Sequence, residues 1–147
     1  MSELLWFLAL LALGYFAGTY LEKKHYKSIK KRERQTCHLP TINFGAKQEI
    51  PEATNAAMFV GSVVVSADYF KMFISFVISL FGGRIVVYET LLDRGRREAL
   101  LRMKEQAIAW GATQILNVRL ETSNIGDRDS GDGLVAIEII AYGTGIQ

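Results

Sequence analysis

The stretch YETLLDRGRREALLRMKEQAIAWGATQILNVRLET, residues 88–122, changes from a helical to a strand pattern and thereby decides the fold class. Its first part predicts an amphipathic helix over Tyr88–Trp110, because apolar side chains recur at helical spacing. The residues on that face are Tyr88, Leu91, Leu92, Gly95, Ala99, Met103, Ala107 and Trp110. Gly111 suits a helix C-cap, and the alternation over Thr113–Thr122 predicts a strand with one wet face.

Two more strands are predicted, one on each side of this stretch. Met58–Ser66 is rich in valine and reads as a buried strand, and we expect its internal Gly61 to mark a bulge. Leu134–Thr144 is a long strand, separated from Thr113–Thr122 by a polar loop, so an antiparallel pair is expected. The apolar side chains expected to share one face of the 113–122 strand are Leu116, Val118 and Leu120.

A second helix is predicted over Tyr69–Phe81, between Asp68 as N-cap and the Gly82-Gly83 pair. This helix is apolar on nearly every side but too short to cross a membrane. A domain of this size has little surface to cover it, so we expect an interface between subunits. The expected interface residues in this helix are Phe70, Phe73, Val77 and Phe81. The domain order is then β-α-α-β-β, an α+β arrangement.

The N-terminus has the features of a membrane anchor. Leu4–Leu21 contains 18 residues without a charge, about 27 Å of helix and just enough to span the hydrocarbon core. Positive charge does not precede this run, which argues against the alternative of a cleaved signal peptide. Gly14 and Gly18 form a GxxxG pair that suits close approach of two transmembrane helices, although such pairs also arise by chance in a segment this rich in small residues.

The charge is concentrated in the segment after the anchor. Glu22–Arg34 carries seven Lys and Arg against two Glu, a net +5, whereas the residues from Gln35 onward carry −2. The positive-inside rule therefore predicts a cytoplasmic C-terminal domain, at a bacterial inner membrane, with the N-terminus outside. Anionic lipid headgroups are the expected partners, and nucleic acid is not expected. The residues assigned to these headgroups are Lys23, Lys24, Lys27, Lys30, Lys31, Arg32 and Arg34.

Three regions follow from these patterns. Residues 1–22 are the anchor, residues 23–56 a basic stalk and linker, and residues 57–147 the folded domain. The part of the linker at Leu39–Thr54 holds both prolines, and we expect one short extended piece at Thr41–Phe44.

The candidates for chemistry are few. Cys37 and His38, with His25 upstream, could contribute to a soft-metal site, but a structural or incidental role is the commoner meaning of such a pair. The acidic loop with Asp127, Asp129 and Asp132 departs from the calcium-loop pattern, because glycine and aspartate are exchanged at its fifth and sixth places. Arg84 is a candidate anion contact. Because no nucleophile, base and acid set is visible, an enzyme is not expected.

The domain resembles the YbjQ-like proteins, small bacterial proteins named for heavy-metal binding. The residues that carry the resemblance are Gly61, Gly82-Gly83-Arg84, Tyr88-Glu89, Leu91-Leu92, Arg97, Ala99, Met103, Ala107, Gly111-Ala112 and Tyr142-Gly143-Thr144. The resemblance covers about residues 57–146 and implies an α+β subunit of a homo-oligomeric ring, a pentamer. The metal label transfers poorly, since residues 57–147 contain no Cys or His.

Three functions remain open at this point. The first is a membrane-anchored homo-oligomeric binding or scaffold module of unknown ligand. The alternative is a metal-ion-binding protein whose sites form between subunits, since symmetry can complete a ligand set. The third is an enzyme with an inter-subunit pocket.

Overall fold

The computed structural model describes residues 2–45, 52–66, 86–125 and 136–147, and the chain forms two compact units, residues 1–35 and 36–147. The second predicted helix, Arg84 and the acidic loop lie outside the described residues. The residues with predictions there are Asp68, Phe70, Phe73, Val77, Phe81, Arg84, Asp127, Asp129 and Asp132.

The first unit lies almost wholly within α1, which runs over Ser2–Thr36. At about 1.5 Å per residue this helix is roughly 52 Å long. It contains both the apolar run Leu4–Leu21 and the basic tract Glu22–Arg34, so the basic tract is helical. Among the described residues, it is the one helix long and apolar enough to cross a membrane, and 0% of its most apolar window is buried.

In the described part of the second unit, one helix lies against a four-stranded sheet. The strands are β1 (Thr41–Ile42), β2 (Ala56–Ser66), β3 (Gln114–Ile125) and β4 (Ala136–Ile146), in the order β1-β3-β4-β2. β4 pairs antiparallel with both β2 and β3, as predicted for β3, and β1 joins β3 in parallel. The expected α+β class is confirmed for the described residues.

Helix α2, Val86–Trp110, packs its predicted face on the sheet. Ala99, Met103 and Ala107 are fully buried and lie in the core with Ile115 and Ile139. The helix begins two residues earlier than the sequence indicated, at Val86.

The end of α2 follows the prediction. Gly111 adopts φ +96° and donates to the Ile108 carbonyl at 3.0 Å, while Ala112 donates to the Ala107 carbonyl at 2.9 Å. These two bonds form a Schellman motif, which satisfies carbonyls that the helix itself leaves without a donor.

Gly61 does not mark a bulge, because β2 pairs with β4 without interruption from Ala56 to Ser66. Its role is close packing. A Cβ at position 61 would collide with the Ala99 carbonyl oxygen and lie 2.5 Å from the Met103 amide nitrogen. Glycine therefore allows the backbone of α2 to lie directly on β2.

The bulge lies in β3 instead. Leu116 pairs with Thr144 but Arg119 pairs with Tyr142, so two residues of β3 oppose one of β4. Asn117 takes a left-handed conformation there, φ 52°. The extra residue reverses the alternation, which places Leu116 and Leu120 on opposite faces of the sheet, and the prediction that they share one face is wrong.

The bulge also holds the segment that precedes β2. The Asn117 Oδ1 accepts a hydrogen bond from the Phe44 amide at 2.9 Å, and the Pro40 carbonyl accepts one from the Ile115 amide at 2.9 Å. Leu39 is buried in the core. The extended piece expected near Thr41 is thus confirmed as β1, and the fold takes in residues that precede position 57.

Replacing Gly61 with alanine should destabilise the second unit, because the new methyl meets backbone atoms of α2 that cannot rotate away. Overpacking of this kind costs about 2 kcal/mol, or a fall of roughly 8 °C in the melting temperature. Thermal unfolding of the detergent-solubilised chain measures this fall in the melting temperature. The control is Ser62→Ala, on the exposed face of the same strand, which should change little. Equal melting temperatures for both variants would contradict the close packing.

Asn117 contributes a left-handed backbone and a side-chain acceptor, and two variants separate these contributions. Asn117→Gly keeps the backbone conformation but removes the bond to Phe44, and it should cost about 1 kcal/mol. Asn117→Ala also strains the backbone and should cost about 1 kcal/mol more. Denaturant unfolding midpoints measure both. If Asn117→Ala lowered the free energy of unfolding no more than Asn117→Gly does, the left-handed conformation would not contribute to the cost of the substitution.

A candidate interaction surface on the sheet

The two faces of β2 differ sharply in exposure. Residues at odd positions, including Gly61 and Val65, face α2 and are buried or half-buried. Those at even positions lie on the outer face, where Met58 is 70%, Val64 56% and Val60 39% exposed. The prediction of a buried strand is therefore wrong for this face. We call Met58, Val60 and Val64 the apolar stripe.

The apolar stripe lies along an edge of the sheet, since β2 has a neighbouring strand on one side only among the described residues. The amide of Gln147 donates to the Asn55 carbonyl at 3.0 Å, and the amide of Asn55 donates back at 3.5 Å. Hydrogen-bonded pairs alternate along an antiparallel ladder. The backbone groups of Ala56, Met58, Val60, Ser62, Val64 and Ser66 consequently point away from β4.

One of these edge groups is occupied by a side chain from α2. The Nη1 of Arg102 donates to the Ser62 carbonyl at 2.8 Å, and its Nε donates to the Glu98 carboxylate at 3.0 Å. Glu98 is buried, so this ion pair is partly shielded from water. A charged side chain at this point limits strand addition along the middle of the edge.

The rest of the outer face grades from apolar to charged. Ile140 and Tyr142 on β4 are half-buried and pair across to Ser62 and Val60. On β3, Arg119 and Glu121 are exposed and pair with Tyr142 and Ile140. An apolar margin beside a charged strand suits the core and rim of a protein contact, where the apolar part is desolvated.

The apolar stripe was not predicted from the sequence because its residues are valine and methionine. A β-branched run reads the same whether a strand lies in the middle or at the edge of a sheet. The available signal was Ser62 and Ser66, which mark every fourth place of the outer face. Alternation of small polar and apolar residues was too weak to separate the two faces.

The predicted metal ligands do not form a site among the described residues. Cys37 and His38 are exposed in the turn that follows α1. No group of three His, Cys, Asp or Glu side chains comes together in the parts of the chain that are described. The chain from residue 41 onward contains no Cys or His. Soft metals prefer the sulfur and nitrogen ligands that these two residue types supply. The described residues therefore do not fit a heavy-metal site.

The predicted residues on α1 are exposed except for Gly18 and Arg32, which are half-buried. In the part of the chain that the structure describes, no atom outside the adjoining helix backbone lies within 4 Å of the place a Cβ would take at Gly14 or Gly18. The five lysines of the basic tract are all exposed.

Known proteins similar to this chain have the same domain. Residues 41–147 match the family described as "Putative heavy-metal-binding", YbjQ. A UPF0145 protein from Natronomonas pharaonis is 44% identical over 66 residues, 45% of this chain and 57% of that protein. One from Halobacterium salinarum is 34% identical over 99 residues, covering 67% of this chain and 86% of its own length.

A third relative, from Hahella chejuensis, is 36% identical over 86 residues, which is 58% of this chain and 76% of that protein. The relatives include archaeal proteins, so the family is not confined to bacteria. The family match begins at Thr41, the first residue of β1, and leaves α1 outside it. From Thr41 to its end, this chain belongs to the UPF0145 (YbjQ) family.

Proposed function

We propose that this protein is a membrane-anchored, homo-oligomeric binding or scaffold module whose domain lies on the cytoplasmic side. The observation that carries the proposal is the apolar stripe of β2. Met58 and Val64 expose more than half of their surface, and burying that surface against another copy would be favourable. The ring of five copies comes from the sequence resemblance and is part of the proposal.

The apolar segment Tyr69–Phe81 supports the same proposal from the sequence alone. Its side chains need cover that a domain of this size does not readily supply. In this proposal, the apolar outer face of the edge strand and the apolar segment that follows it in the sequence both contribute to one interface between copies. Assembly through both would remove the exposed edge, which otherwise invites non-specific association.

The anchor is supported by the composition and exposure of α1. Its apolar run is followed directly by Glu22–Arg34 with a net charge of +5, the order expected for a helix whose C-terminal end is cytoplasmic. None of the most apolar window is buried within the protein, so lipid is the environment proposed to cover it.

Native mass spectrometry of the full-length protein in detergent tests the assembly. We expect a closed oligomer of five copies. Val64→Glu should shift it toward monomers, because a charge would be buried without a partner. Gln106→Glu adds the same charge to an exposed position of α2 and serves as the control. A wild-type monomer would overturn the proposal, and an unchanged oligomer in Val64→Glu would exclude the apolar stripe as the interface.

The same spectra test the metal alternative. A fixed extra mass per copy or per ring, lost on chelation, would favour ion binding at sites between subunits. An oligomer without added mass favours the scaffold.

The single cysteine tests the orientation of the anchor. Cys37 is exposed, directly after α1, and we expect a membrane-impermeant maleimide to label it in intact cells only after the membrane is opened. Ser2→Cys in a Cys37→Ser background should behave in the opposite way, since it would lie outside. Labelling of Cys37 in intact cells would contradict the proposed orientation. Release of the protein from membranes by alkaline carbonate would contradict the proposed anchor.

A further inference from the structure

The lysines of α1 lie on one side of the helix. Taking about 100° per residue, Lys23, Lys24, Lys27, Lys30 and Lys31 fall within an arc of roughly 120°. All five are exposed. We call these five residues the lysine face. Arg34 lies on the same side, whereas Arg32 lies about 80° beyond the edge of the arc. The sequence alone assigned all seven cations to one tract without a direction.

We infer that the lysine face is a binding site for anionic lipid headgroups, on one side of a helix that continues unbroken from the membrane span. The inference rests on the proposed anchor and deepens it. The helix runs without interruption from Ser2 to Thr36, so the lysines keep a fixed rotation relative to the apolar run.

Distances along the helix agree with contact to headgroups. Lys23 lies two residues after the apolar run, and Lys31 lies about 15 Å beyond Leu21 at 1.5 Å per residue. Side chains of a helix lean toward its N-terminus, which here is the membrane side, so each ammonium group reaches back toward the bilayer. A headgroup layer is about 5–7 Å thick, and the Debye length is about 8 Å. All five charges therefore act on the headgroup layer.

The GxxxG pair lies on the opposite side of the same helix. Gly14 and Gly18 are rotated about 160° from the centre of the lysine face. Copies whose helices approach at these glycines would keep their lysines apart and turn them toward surrounding lipid. The rotation thus avoids the repulsion that a central cluster of cations would cause, and it leaves the lysine face accessible in the assembled protein.

Electron paramagnetic resonance tests the inference with the full-length chain in phosphatidylcholine vesicles. Spin-labelled phosphatidylglycerol should associate with the wild type severalfold more strongly than spin-labelled phosphatidylcholine. Lys23→Gln/Lys27→Gln/Lys30→Gln should lose most of that preference, and Lys30→Gln alone should reduce it two- to threefold. The matched control is Arg32→Gln, which removes the same charge two residues away but outside the lysine face, and it should reduce the preference clearly less than Lys30→Gln does. Salt at 0.5 M should abolish the preference by screening.

The outcomes separate this inference from the proposed assembly. A wild type without preference for phosphatidylglycerol overturns it, and equal losses for Lys30→Gln and Arg32→Gln overturn the assignment to one face. A labelled single-stranded oligonucleotide that binds the wild type but not the triple variant, with no lipid preference, would assign the lysine face to nucleic acid instead. A lipid preference in a protein that is monomeric by native mass spectrometry would support the inference and refute the oligomer.

Discussion

The second unit depends on the contact between α2 and β2 at Gly61. The helix backbone lies so close there that no side chain fits between the Ala99 carbonyl and the strand. This contact brings Arg102 near enough to bond the Ser62 carbonyl at the sheet edge. The one described helix of the unit packs on the inner face of β2. On the outer face, Met58, Val60 and Val64 are exposed, and the apolar stripe therefore follows from how the core is packed.

The elements that could be predicted are those whose signal repeats many times. The face of α2 recurs over six turns, and Gly111 adds a separate end signal, so both follow from the sequence. A glycine inside a strand indicates either a bulge or a close approach, and the choice depends on where a helix lies. The extra residue at Asn117 cannot be recognised in the pattern of apolar residues. It nevertheless places the β3 side chains that precede it on the opposite face of the sheet from the one the pattern predicts.

The candidate surfaces also differ in how much of each could be predicted from the sequence. The lysines and the GxxxG pair could be read directly, but their opposite rotations have meaning only because α1 continues as one helix from Ser2 to Thr36. The apolar stripe could not be found from valine content, since exposure depends on the position of β2 in the sheet order. The heavy-metal label of the family has no counterpart among the described side chains, because ligand chemistry requires residue types that the domain lacks.

The proposed anchor and the proposed binding domain would strengthen each other if both associate with further copies. Confinement to a membrane raises the effective concentration of one copy near another, so contacts too weak for a free domain become sufficient. The exposed area of Met58, Val60 and Val64 is modest for a stable interface on its own. In the proposed assembly, the small residues of α1 would hold the helices of neighbouring copies together at the centre, and the lysines would contact lipid at the outside. This additional association would compensate for the small interface at β2.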